Sequence, residues 1–128
     1  MCNVWYEGAD GARRCHKPGV AWKAFVKKGN KLMPSYKGRD YTLQEGDTLK
    51  WDDSKVRPSQ RPVSPGAGFF AYASERGLLR HLRRLPADVG HRVHYDQPIG
   101  TMRMIFNVND PPDTVIVFRE FTVGEQVG

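Results

Sequence analysis

Residues 101–123 read TMRMIFNVNDPPDTVIVFREFTV, and two β-prone runs, 101–109 and 114–123, stand on either side of Asp110-Pro111-Pro112-Asp113, a segment suited to reversing the chain. In the first run Met102, Met104, Phe106 and Val108 share one face. In the second, Ile116 and Phe118 fall on one face while Val115, Val117 and Phe121 fall on the other. A strand that is apolar on both faces needs cover above and below it. The stretch therefore reads as a hairpin whose second strand runs through the middle of an antiparallel sheet.

Working outward, HRVHYD (91–96) and GFFAYA (68–73) read as further strands, and EGDTLKWDD (45–53) as another, because Thr48, Lys50 and Asp52 alternate with Leu49 and Trp51. AWKAFVKK (21–28), Gly29-Asn30 and KLMPSYK (31–37) form a second hairpin pattern, with glycine first as in a type II′ turn. If positions 28 and 31 face each other, Trp22, Ala24, Val26, Met33 and Ser35 make one face, expected to be core. Lys23, Phe25, Lys27, Leu32, Pro34 and Tyr36 make the other. Pro34 cannot donate to a ladder, which places the second strand at an edge.

Ser74 is set to cap a helix starting at Glu75, with Leu78, Leu79, Leu82 and Leu85 at helical spacing and Pro86 as the stop. Arg76, Arg80, Arg83 and Arg84 form a basic stripe on the other side, and Gly77 weakens the helix by about 1 kcal/mol relative to alanine. The fold class expected is α+β: an antiparallel β-sheet with one main amphipathic helix. At 128 residues the chain fits a single domain, 1–128. The Pro- and Ser-rich stretch 52–67 is expected to be a mobile loop.

The formal charge is +6, and it is unevenly spread. Between Asp10 and Asp40 stand Arg13, Arg14, Lys17, Lys23, Lys27, Lys28, Lys31, Lys37 and Arg39 with no acidic residue among them. Such a stretch projects a positive field toward an anionic partner. Phe25 and Tyr36, interleaved with Lys23 and Lys27, add the rings on which unpaired bases stack. No apolar run approaches the ~20 residues of a membrane span, and the first twenty residues lack the apolar core of a signal peptide. A cytoplasmic protein with reduced cysteines is the expectation.

The opening Met1-Cys2-Asn3 carries a different chemistry. Removal of Met1 leaves Cys2 as a 1,2-aminothiol able to attack an aldehyde or act as an N-terminal nucleophile. These three residues are similar to the start of SRAP-domain proteins, a resemblance that implies crosslinking to abasic DNA through the cysteine. A metal site would have to draw on Cys2, Cys15, His16, His91 and His94, whose spacing matches no paired-ligand pattern, so no metal or other cofactor is expected. More broadly, Lys23-Ala24-Phe25, Lys31-Leu32-Met33-Pro34 and Gly68-Phe69-Phe70-Ala71, followed by a helix and late strands, look like small phage and bacterial domains. The motifs imply no established activity, but in size and style the compact, basic chain resembles a phage-type inhibitor of a host defence complex, such as an anti-CRISPR protein.

The sequence thus reads as a non-enzymatic binding module for nucleic acid or a nucleoprotein surface. Its expected contacts are Arg13, Arg14, Lys17, Lys23, Phe25, Lys27, Lys28, Lys31, Tyr36, Lys37, Arg39, Arg57, Arg61, Arg80, Arg83 and Arg84. The alternatives are a Cys2-dependent enzyme and a module for an acidic protein partner.

Overall fold

The computed structural model describes residues 5–7, 13–15, 18–35, 41–52, 68–104 and 113–127. They form β1 (Trp5–Glu7), β2 (Arg13–Cys15), β3 (Gly19–Lys28), β4 (Lys31–Pro34), β5 (Thr48–Lys50), β6 (Phe69–Tyr72), α1 (Glu75–Arg84), β7 (Asp88–Met104) and β8 (Asp113–Val127). The strand pairings are antiparallel and the class is α+β, with one helix among the described residues. None of these residues belongs to a helix long and apolar enough to cross a membrane.

The backbone of the fold is the β7–β8 ladder, which runs from Gly90↔Val127 to Met104↔Asp113. The strand expected at 91–96 and the described part, 101–104, of the strand expected at 101–109 are one; residues 105–109 lie outside the described residues. They join through a bend at Gln97, whose φ is 51°, and the register shifts between Pro98 and Gly100. Asp96 Oδ1 accepts from Gln97 N at 2.8 Å and fixes the bend, which lets one long strand coil without losing its partner. As its two apolar faces require, β8 lies centrally, pairing with β5, β6 and β7 and burying Val115 through Phe118, Phe121 and Val123.

The sheet also returns to itself. β3 pairs with β7, β7 with β8, β8 with β6, and β6 meets β3 through Trp22↔Tyr72. A curled sheet of this kind has an inside and an outside. Inside lie Ala21, Phe25, Phe69, Val93, Tyr95, Phe118 and Phe121, with Leu32 and Leu43 at one end. The rings meet mainly edge to face, as in Phe69–Phe121 at 4.9 Å and Phe69–Trp51 at 5.0 Å. Outside, Ala24, Tyr72, Leu78 and Val115 form a second layer under the helix.

Helix α1 begins where the sequence predicts, with Ser74 Oγ accepting from Gly77 N at 3.3 Å. Gly77 has a packing reason: a Cβ there would stand 2.9 Å from Cδ1 of Tyr72, so its absence lets the helix lie close on β6. Leu78 is fully buried, whereas Leu79 is 39% exposed and Leu85 is 48% exposed. The apolar stripe is thus narrower than four leucines suggest.

The first hairpin has the expected register, Lys28↔Lys31, and Gly29 takes a φ of +61° at the first turn position. Among the described residues β4 has β3 as its only strand partner and ends at Pro34, and on its other side a single bridge joins Leu32 to Leu43. The assignment of its faces is reversed in importance. Phe25 is 0% exposed and points into the barrel, so it cannot stack on a base; Lys23 beside it is 8% exposed. Closure of the sheet covers this face, while the helix covers Ala24 on the other.

Candidate functional site

Where β3 exchanges β6 for β4 as its neighbour, the barrel wall opens into a cavity of about 210 Å³. Phe69, Phe70 and Ala71 of β6 form one wall, Lys23 and Ala24 of β3 another, and His81 with Leu85 from the helix side a third. Lys23 bridges the opening. Its Nζ donates to the Phe70 carbonyl at 2.6 Å and lies 5.0 Å from the centroid of the Phe70 ring, 5.8 Å from that of Phe121 and 6.0 Å from that of Phe25. Hydrogen bonding and three ring faces thereby offset part of the cost of burying an ammonium.

A polar network borders the same cavity. Asp88 Oδ2 accepts from Ser35 Oγ at 2.5 Å and stands 2.9 Å from His81 Nε2. A carboxylate accepts only, so Nε2 carries a proton; in the neutral imidazole Nδ1 then accepts the Tyr72 hydroxyl, 2.7 Å away. Burial pushes the Tyr72 phenol up to about 12, with Arg84 opposing and Asp113 and Asp88 adding to the rise. The network ties β4, β6, α1 and β7 together.

Its order differs from that of a serine-nucleophile site. In such a site the imidazole stands between hydroxyl and carboxylate. Here Ser35 and Asp88 meet on the same side of the ring, with Ser35 Oγ 3.4 Å from Nε2, and the far nitrogen goes to Tyr72. Sequence reasoning missed Ser35, Tyr72, His81 and Asp88 because no motif joins them: Tyr72, His81 and Asp88 fall on three successive elements, and Ser35 stands 46 positions before His81. Tyr72, a polar-tipped ring inside GFFAYA, is the single local clue.

The predicted contact residues separate into three groups. Lys27, Lys28 and Lys31 are exposed at the tip of the β3–β4 hairpin, and Arg83 is exposed on the helix. Lys23 and Phe25 are corrections, whereas Arg80 and Arg84 are partly buried and have partners within the fold. The first two face the interior, Arg80 donates to Asp113 Oδ1 at 2.9 Å, and Arg84 is hydrogen-bonded to Tyr72. Arg13 and Arg14 lie in β2, their side chains outside the described part, and Lys17, Tyr36, Lys37, Arg39, Arg57 and Arg61 lie outside the described residues altogether. So does Cys2, and so does the loop expected at 52–67 beyond Asp52.

The histidines follow the same logic. His91 is buried, donates from Nδ1 to the Gly124 carbonyl at 2.9 Å and meets the Phe25 ring edge-on, whereas His94 is exposed. Among the described residues no group of three His, Cys, Asp or Glu side chains could hold a metal ion. Compared with protein-family models, curated proteins and solved structures, the chain matches none.

Proposed function

We propose that the protein is a non-enzymatic binding module that holds the phosphate backbone of a nucleic acid, alone or within a nucleoprotein complex, at the tip of the β3–β4 hairpin. The observation that carries this reading is the facing pair Lys28↔Lys31. Like charges directly across a ladder repel, and Lys27 adds a third exposed lysine on the opposite face of the tip. β7 begins at Asp88, opposite Val26, so the tip extends past its neighbouring strand toward solvent. An anion placed there relieves repulsion that the folded chain otherwise sustains. The chain's excess of cations, +6, acts in the same direction at longer range. An inhibitor of a host nucleoprotein machine would use the same surface to occupy a nucleic-acid site.

Fluorescence anisotropy with labelled single- and double-stranded oligonucleotides over a salt series tests the proposal. Binding that weakens with salt, and that is lost when Lys27, Lys28 and Lys31 are all changed to Glu, supports it. Absence of binding to either probe at low salt overturns it and favours an acidic protein partner.

A further inference from the structure

The seam cavity combines an aromatic wall with a buried ammonium, and neither belongs to the hairpin tip. We propose that it binds a small aromatic carboxylate, a one-ring aryl acid whose ring lies against Phe69 and Phe70 and whose carboxylate meets Lys23. Size sets the first limit. A protein cavity of about 150 Å³ takes up benzene, so 210 Å³ suits one ring with a short substituent and is too small for a drug-sized or nucleotide ligand.

Charge sets the second limit. An ammonium offers donors and no acceptor, so the polar end of a ligand that reaches Lys23 must accept hydrogen bonds, and a carboxylate does so with charge assistance. The Phe70 carbonyl holds Nζ in place at 2.6 Å, which spares the ligand the ordering of a long side chain. Low polarity around the site strengthens attraction between the two charges. Ser35, Tyr72 and His81 are also among the lining residues, and the carboxylate of their network, Asp88, is held by Ser35 and His81 and is not among the residues that line the cavity. Leu85 lines the cavity yet is 48% exposed, which places it at the mouth, where it covers an apolar ring.

Heteronuclear NMR titration of the full chain with benzoate and with phenylacetate, against benzamide as the uncharged match, tests the site. The expected result is saturable shifts clustered on Lys23, Phe70, Tyr72 and His81, with benzoate bound about tenfold more tightly than benzamide. Lys23→Met keeps the apolar stem and should reduce benzoate to the level of benzamide. Leu85→Glu, at an exposed cap position, should weaken both acids more than the amide while leaving the fold intact. Reversal of Lys27, Lys28 and Lys31 should leave these shifts unchanged, so the pocket and the hairpin stand or fall separately. Failure of both acids to saturate the protein by about 20 mM, equal affinity for benzoate and benzamide, or full benzoate affinity in Leu85→Glu overturns the proposal. Should Lys23→Met not fold, the acid–amide comparison and Leu85→Glu decide it.

Discussion

The imidazole of His81 stands between two strands' side chains, with the Tyr72 hydroxyl 2.7 Å from Nδ1 and an Asp88 carboxylate oxygen 2.9 Å from Nε2. Both ring nitrogens are thereby committed to joining α1 to β6 and β7. The arrangement makes His81 a structural link whose removal is felt on three elements at once.

Asp88→Ala removes the acceptor shared by Ser35 and His81 and leaves two donors without it. The expected loss is about 1–3 kcal/mol in urea unfolding, against about 1 kcal/mol for Ser35→Ala, which keeps the His81–Asp88 pair. A Ser35→Ala variant as damaged as Asp88→Ala would show that the serine, not the carboxylate, organises the network.

Stability in alkali depends on Tyr72. Its phenol is pushed from 10.0 up to about 12, chiefly by burial, so the fold favours the protonated form. That contribution is fully present below pH 10, the unfolded value, and is lost as pH rises through about 12. Tyr72→Phe should be less stable than the wild type at pH 8 by about 1 kcal/mol for the lost hydrogen bond. The gap should close as pH climbs past 10, because phenylalanine has no proton to lose. Parallel stability curves for the two proteins between pH 9 and 11.5 would contradict this account.

Phe25→Ala should act on folding rather than on binding. The ring is fully buried and meets Tyr41, His91 and Phe121, so its truncation should cost about 3–5 kcal/mol. Thermal melts give the answer directly. A variant with an unchanged melting temperature and weakened single-strand binding would restore the ring to the surface.

Lys31→Glu should move stability and binding in opposite directions. Replacing the Lys28–Lys31 repulsion by an attractive cross-strand pair should stabilise the protein by roughly 0.2–1 kcal/mol. The same change should reduce affinity for duplex DNA and lower the magnitude of its salt slope by about one unit or more. A stabilised variant with undiminished affinity would remove the tip from the interface.

Much of the architecture is legible in the chain because its signals are local. Gly29-Asn30 fixes a register, Ser74 starts a helix, and a strand apolar on both faces finds the middle of the sheet. The face carrying Lys23 and Phe25 defeats that reasoning. Alternation tells which residues share a side, but not which side closure will cover, and the Trp22↔Tyr72 pair joins residues fifty positions apart. Lys23 reads as surface because charged residues almost always are; its burial depends on the Phe70 carbonyl and on rings from β3, β6 and β8. Of the site, only the exposed lysines could be read directly. Ser35, Tyr72, His81 and Asp88 come together only in three dimensions.

The meeting of β3 and β6 at Trp22↔Tyr72 is brief compared with the long β7–β8 ladder. Amide protons along the two sides of that join should therefore exchange with solvent through a partial opening, far sooner than those between β7 and β8. The barrel can unzip there while its long ladder stays whole.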